Sequence, residues 1–291
     1  MTRPADLIHE LAQRLAEAGF PSPGADARLL VAHAAGESPG ALLAKWELEP
    51  DVVRRATQLV DERMTGTPVQ HITGQAFFRH ETLHVGPGVF IPRPETESLV
   101  DLAIKILTGM PSRRVVELCA GSGAISRSLA REVADVELHV NERSEHAAEY
   151  LRKNLADVQA TIEIADMAVA FPALGATVDV VVVNPPYVPE TARAVLPNDV
   201  LGHDPDEALF AGPDGLAAMP TVIATARRLL RDGGHVVIEH DESHQDGLMA
   251  LLEADAFEDV DGHRDLAGRP RFVSARRAAR ARRPGLPRVG V

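Results

Sequence analysis

Four consecutive residues, Asn184-Pro185-Pro186-Tyr187, carry the most specific chemistry in the chain. Two adjacent prolines make a stiff turn without N–H donors, so the segment offers carbonyl acceptors. The Asn184 side chain adds another. The Asn184 amide oxygen and the Pro185 carbonyl, converging on an –NH2 group, can hold both its hydrogens and aim its lone pair. Tyr187 supplies a ring to stack on a planar amide or base. A planar amino group is a poor nucleophile because its lone pair is delocalised. Acceptors on both hydrogens favour the positive charge that develops on nitrogen during attack, which combines electrostatic stabilisation with orientation. The bland alternative is a proline turn that merely ends a strand.

A second signal lies upstream. The β-branched run 114–118 leads into Cys119-Ala120-Gly121-Ser122-Gly123, and a helical pattern follows from Ala124. An open α/β sheet binds ligands at the carboxyl ends of its strands, in such strand–loop–helix connections. Gly121 and Gly123 permit close backbone approach, and the helix N-terminus adds N–H donors. Glu142 follows Gly121 by 21 residues, where an acid can accept from ribose hydroxyls. The third glycine of a dinucleotide fingerprint is missing, with Ser126 in its place. Glu117, at the strand end, is ill matched to a pyrophosphate. An acid there suits a cation, and S-adenosyl-L-methionine carries a sulfonium and an ammonium. His240 and His244 have the spacing of a metal pair, but no third ligand pattern accompanies them, and no metal is expected. Cys119 has no base suggested in sequence and reads as a loop residue.

These residues need a sheet to bring them together. Candidate strands are 114–118, 136–140, 161–164, 178–183, 235–239 and 271–274, with helices at 124–132, 145–155, 215–230 and 245–253. The alternation predicts an α/β fold with a mostly parallel sheet covered on both faces. The run 178–183 is apolar enough for a buried central strand. Residues 3–73 read as helices only. Leu7, Ile8, Leu11, Leu15 and Ala18 recur at helical spacing, and 25–35 and 51–64 are two further amphipathic stretches. Trp46 and most leucines of this region are expected in a core. Phe77-Phe78 and Leu83-His84-Val85 flank polar residues as a hairpin would. The divisions expected are a helical domain over 1–74, a hairpin and linker over 75–94, an α/β domain over 95–275 and a disordered basic tail over 276–291.

Composition narrows the function classes. The chain has 291 residues, 45% hydrophobic and 25% charged, as in soluble globular proteins. No run approaches the roughly 18–20 apolar residues of a membrane helix, and no signal-peptide pattern is visible. One cysteine excludes an internal disulfide and a Cys-rich zinc site. A cytoplasmic monomer is expected. Thirty basic against forty-two acidic residues give a net charge of −12, but eight arginines beyond residue 268 conceal −20 over residues 1–268. Such a body repels phosphate backbones over a Debye length of about 8 Å, so direct DNA binding is not expected.

Taken together, these motifs resemble the bacterial release factor glutamine methyltransferases, the HemK or PrmC family. The resemblance spans nearly the whole chain and is most specific at Phe90-Ile-Pro-Arg-Pro-Glu-Thr-Glu97, Glu117–Gly123, Asn184–Tyr187, Asp204-Pro-Asp-Glu-Ala-Leu209 and Glu239-His240. It implies a helical N-terminal domain for substrate recognition, a hairpin linker and a seven-stranded, Rossmann-like class I methyltransferase sheet. It further implies methyl transfer from S-adenosyl-L-methionine to the side-chain amide nitrogen of the glutamine in the Gly-Gly-Gln motif of class I peptide chain release factors. Carried over by position, Cys119, Ala120, Gly121, Ser122 and Gly123 line the methionine and ribose part of the cofactor, with Glu117 and Asn184 beside them. Glu142 binds the ribose hydroxyls, and Asp166 and Met167 border the adenine. Asn184, Pro185, Pro186 and Tyr187 grip the substrate glutamine; residues 92–97 read either as a stiff linker with a helix N-cap or, as the resemblance implies, as a wall over the cofactor. The chain departs from the family at Cys119, where glycine is usual, at Met167, where an aromatic is common, and at Asp241, where glycine is common. Cys119 fits the loop provided its backbone keeps negative φ.

Three rival readings share parts of the pattern. Glutamine methyltransferases of a ribosomal protein have a similar Asn-Pro-Pro-Tyr loop but typically Pro-Arg-Ser-Pro, where this chain has Pro92-Arg-Pro-Glu-Thr-Glu97. Adenine-amino DNA methyltransferases use a similar loop on a flipped base. They need a basic DNA face, which the acidic body does not supply. A non-catalytic binding protein of the same fold would have no need of Asn184 with Gly121 and Gly123.

Overall fold

The computed structural model describes residues 2–196 and 199–279. The chain divides into two compact units. The first is helical: α1 (Pro4–Glu17), α2 (Pro23–Ala35), α3 (Pro39–Leu42), α4 (Pro50–Met64) and α5 (Val69–Thr73). The first four each carry proline in the first turn, where its missing N–H costs nothing and its fixed φ is already helical. Leu7, Leu11 and Leu15 pack with Leu30, Val31, Leu42, Leu48 and Val60. The short α3 and α5 were not foreseen, being too short to show a period. Arg63 is buried, bonded to Asp26 at 2.8 Å and to the Gly66 and Thr67 carbonyls, and lies 4.2 Å above the Phe20 ring. Residues 84–91 and 195–205 belong to this unit too. Arg63 reaches Asp199 at 3.5 Å, and Asp204 accepts from the Ile91 N–H at 3.1 Å.

Trp46 corrects a sequence expectation: it is 83% exposed. Leu42 and Leu48, on either side, turn inward and fill the core, and the segment between them bulges outward with Leu43 and Trp46 on its surface.

The hairpin forms from β1 (Gln75–Phe78) and β2 (Glu81–His84). Its tip, residues 77–83, belongs to the second unit. There Arg79 bonds Glu132 and Asp101, and its N–H donates to Glu97 at 3.0 Å. The rest of that unit runs α6 (Glu97–Thr108), β3 (Arg114–Leu118), α7 (Ala124–Glu132), β4 (Glu137–Glu142), α8 (Glu145–Asn154), β5 (Ala160–Ile164), β6 (Val178–Val183), α9 (Asp206–Leu209), α10 (Met219–Leu229), β7 (Leu230–Glu239), α11 (Gln245–Ala254), β8 (Phe257–Arg264) and β9 (Pro270–Arg277). The seven strands lie in the order β5-β4-β3-β6-β7-β9-β8, with β9 antiparallel to both its neighbours.

Apolar side chains cover both faces of the sheet, which is why β6 is buried along its whole length. Val180 and Val182 join one core, and Val181 and Val183 the other. Asp179 is tolerated in this strand because the Arg114 N–H, Arg231 and Ser112 all donate to its carboxylate. Burial alone pushes its pKa up, and these donors hold it below the usual range. Two strand readings need amendment. β8 was not anticipated, because most of its residues face solvent and two register shifts interrupt its pairing. β9 continues to Arg277, two residues into the stretch expected as tail; Ala278 and Ala279 follow it outside any strand or helix, and residues 280–291 of that expectation lie outside the described residues.

Candidate active site

Strand order reverses at β3. The chain passes from β3 to β4 and β5 on one side, then returns to β6 on the other. The crevice beyond the carboxyl ends of β3 and β6 is where such sheets bind ligands. Register then aligns the site. Leu118 pairs with Val183 and Val183 with Ile238, so Cys119 and Asn184, which follow β3 and β6, and Glu239, which ends β7, lie at the same end of neighbouring strands. Glu142 pairs with Ile164 on the other side, two residues before Asp166.

The loop after β3 is tight. The Ala120 N–H donates to the Asn141 carbonyl at 3.0 Å, and the Gly123 N–H to the Ala120 carbonyl at 2.8 Å. Asn154 donates to the carbonyl of the buried Ser122 at 2.9 Å. Glu142 accepts from the N–H groups of Gly121, Arg143 and Ser144 at 2.7–2.8 Å, which fastens its carboxylate beneath the loop. Glu117 is buried and accepts from both the N–H and the hydroxyl of Ser126, capping the first turn of α7. Burial, aided by Glu142, pushes its pKa up to about 8. Asp166 is exposed and accepts from the Ala168 N–H at 2.9 Å.

Cys119 adopts φ +55°, against the expectation of negative φ. The chain leaves β3 through a left-handed residue, which explains why glycine is the easier occupant; an L-residue there costs roughly 1–2 kcal/mol. Its thiol lies 3.8 Å from the Met167 sulfur. Burial, then Glu142, raises its pKa to about 12, so it stays protonated and is no nucleophile. Cys119→Gly is expected to leave the melting temperature unchanged or raise it slightly. Cys119→Val, a β-branched residue at positive φ, is expected to lower it by several degrees. Thermal denaturation of the two variants checks this; equal melting temperatures would contradict it.

At the end of β6, Pro185 is buried and Asn184, Pro186 and Tyr187 are partly so. The Asn184 amide nitrogen lies 3.3 Å from the Thr96 hydroxyl. Thr96 donates to one Glu239 oxygen at 2.8 Å, and the Tyr187 hydroxyl to the other at 3.0 Å. Burial pushes the Tyr187 hydroxyl well above its ordinary pKa, and Glu239 raises it further. No role was foreseen for Glu239, and Thr96 was read only as part of the 92–97 segment beside the cofactor; polar residues at the end of a strand and the start of a helix were the available sign. Gly215, likewise unforeseen, approaches the Tyr187 carbonyl so closely that a Cβ would lie 2.3 Å from that oxygen. His240 and His244 are both buried. Among the described residues no group of three or more His, Cys, Asp or Glu could hold a metal.

The loop fits S-adenosylmethionine. At Gly121, which has φ +55°, the position of a Cβ is open space, a cradle against which a ligand can rest. Met167 offers an apolar edge. Glu142, Asp166 and Glu117 all act on Cys119, with Arg143 as the opposing charge; this acidic surround suits a sulfonium and an ammonium better than a phosphate.

Comparison with known proteins agrees in outline. Residues 6–74 match the PrmC N-terminal domain, and residues 81–199 the methyltransferase small domain. A release factor glutamine methyltransferase of Streptomyces coelicolor is 42% identical over 275 residues, covering 93% of this chain and 97% of that protein. A 4-amino-L-phenylalanine/4-methylamino-L-phenylalanine methyltransferase of Streptomyces pristinaespiralis is 38% identical, covering 86% and 87%. Among solved structures, the hMettl16 catalytic domain in complex with a MAT2A 3′UTR hairpin has a TM-score of 0.52 at 14% identity, covering 80% of this chain and 84% of that one; it shares the fold.

Proposed function

The chain belongs to the release factor glutamine methyltransferase family, and from that premise we propose that it methylates the side-chain amide nitrogen of the glutamine in the Gly-Gly-Gln motif of class I peptide chain release factors. The observation that carries this reading is the position of Asn184-Pro185-Pro186-Tyr187 at the end of β6, one strand away from the cofactor loop.

Bound S-adenosyl-L-methionine supplies an electrophilic methyl group. Gly121, Glu142, Asp166 and Met167 would hold it, with Cys119, Ala120, Ser122 and Gly123 shaping the loop. Asn184 Oδ1 and the Pro185 carbonyl accept the two hydrogens of the substrate amide, and the Tyr187 ring closes the pocket. In a partly buried site these acceptors are preorganised for the charge that develops on nitrogen. The surplus proton leaves to solvent once the N–C bond has formed, so no buried base is needed. The helical unit is the proposed recognition surface for the release factor, and the proposed working form is a cytoplasmic monomer. No helix among the described residues is long and apolar enough to cross a membrane.

Radiolabelled S-adenosylmethionine, a purified release factor, its Gly-Gly-Gln Gln→Ala variant and 4-amino-L-phenylalanine test this reading. Label is expected on the wild-type factor alone. Label persisting on the variant would remove the acceptor assignment. Label passing to the free amine and not to the factor would move the chain to the acceptor in the Streptomyces pristinaespiralis relative's name.

A further inference from the structure

We infer that Thr96 and Glu239 are positioning residues that decide which end of the Asn184 amide faces the substrate. The inference rests on the amide-methylation reading above and concerns a choice that reading leaves open. A primary amide presents an acceptor oxygen and a donor NH2 of nearly the same shape. Only the oxygen can take a hydrogen from the substrate amide. An Asn184 turned end for end would set NH2 against NH2 and lose the interaction on which orientation depends.

The polarity is set from the interior. Glu239 is 1% exposed and ends β7, beside the end of β6. An ionised carboxylate only accepts. It therefore takes the Tyr187 hydroxyl hydrogen on one oxygen and the Thr96 hydroxyl hydrogen on the other. A threonine hydroxyl has a single hydrogen. With that hydrogen committed to Glu239, what Thr96 turns toward Asn184 is lone pairs, and these are satisfied only by the amide NH2, 3.3 Å away. The sign of the carboxylate is relayed through the hydroxyl to the amide, and Oδ1 is left for the substrate. The same carboxylate anchors the Tyr187 ring by its hydroxyl, so two of the four loop residues depend on one buried acid. Thr96 arrives through the 3-10 turn Pro94–Thr96 that leads into α6, which gives the Pro-Arg-Pro-Glu-Thr-Glu segment a task beyond walling the cofactor.

The relay needs the carboxylate ionised. A protonated Glu239 can donate to Thr96, releasing the threonine hydrogen toward Asn184 Oδ1 and turning the amide round. The groups that act on Glu239 are Thr96 and Tyr187, which donate to it, Arg271 of β9, which favours the ionised form, and Glu95, which opposes it. Burial outweighs the favourable contacts and pushes its pKa up to about 7. Ionisation is then complete above this pH and lost below it, so kcat should rise with pH through about 7.

Thr96→Val keeps the shape and removes the hydroxyl; Thr96→Ser keeps the hydroxyl. The expected result is a kcat at least about 10-fold lower in Thr96→Val, with S-adenosylmethionine affinity near wild type, the pH step gone and the melting temperature lower by a few degrees, since the buried Glu239 carboxylate loses a donor. Thr96→Ser should retain most of the rate and the step. Wild-type kcat in Thr96→Val would overturn the inference, as would equal losses of rate, cofactor affinity and melting temperature in both variants. A readout independent of turnover is the side-chain NH2 signal of Asn184 in 15N-asparagine-labelled protein. The chain has four asparagines, and Asn184→Ala identifies the signal. It should shift in Thr96→Val and remain in Thr96→Ser; an unchanged signal in both removes the relay. Failure of the wild type to methylate a release factor would count against the proposed substrate, while the NH2 signal would still decide the relay.

Discussion

Asn184→Ala is expected to lower kcat on the order of 10²–10³-fold, with S-adenosylmethionine affinity changed only a few-fold. The loss belongs to the rate because the Asn184 oxygen matters most when the amide nitrogen gives up its conjugation and turns positive; a ground-state amide interacts with it weakly. Truncation also frees the Thr96 lone pairs that the Asn184 NH2 satisfies, leaving a buried acceptor without its donor. Single-turnover rates with saturating release factor, beside calorimetric titration of the cofactor, separate the two quantities. A variant whose kcat stays at the wild-type value would remove Asn184 from the amide grip. One whose kcat is preserved but whose cofactor affinity collapses would reassign Asn184 to the cofactor side of the site.

The parts of this fold that were legible in the sequence are those where burial leaves little choice. Strands 114–118 and 178–183 and helix 124–132 appear in the structure with the bounds read from the pattern; the two strands are buried on both faces and carry apolar side chains at most positions, with Glu117 and Asp179 as buried exceptions. β8 was illegible for the opposite reason. An edge strand with a mostly solvated surface has no apolar period to read. At the site, the loop residues were visible because their chemistry is local: glycines beside an acid, prolines beside an amide. What escaped was contact across long sequence distances. Thr96 and Asn184 are 88 residues apart, and Tyr187 and Glu239 are 52 apart; only sheet register and the turn before α6 bring them together. The sign of φ at Cys119 was illegible because the exit path from β3 sets it, and the residue's own preference does not. Trp46 shows that apolar character alone does not decide burial, since Leu42 and Leu48 already serve the core on either side.

Gly215→Ala is expected to lower kcat about 10²-fold, as displacements near 1 Å do at a reacting centre, and to cost stability by roughly 1–3 kcal/mol through overpacking. Gly215 has φ +78°, and a Cβ there would stand 2.3 Å from the Tyr187 carbonyl and 2.7 Å from a His244 ring carbon. The histidine ring is a side chain and can turn away. The carbonyl is backbone, and its neighbours hold it in place. The Val188 N–H donates to the Leu209 carbonyl at 2.8 Å, and the Ala211 N–H to the Val188 carbonyl at 3.0 Å. On the other side, the Tyr187 hydroxyl is tied to Glu239. A methyl at position 215 therefore pushes on a segment pinned at both ends, and the strain passes to Asn184–Tyr187, whose carbonyl and ring positions set the grip on the substrate amide. Part of the stability loss comes from an L-residue at positive φ, roughly 1–2 kcal/mol, whatever it touches. Gly268→Ala isolates that part. Gly268 has φ +80° and nothing within 4 Å of a Cβ, so it carries the backbone strain without the collision. Its melting temperature should fall less than that of Gly215→Ala, and its kcat should match wild type. Equal behaviour of the two variants in both measurements would mean that the close approach at Gly215 does not support the loop, and that Tyr187 owes its position to Glu239 alone.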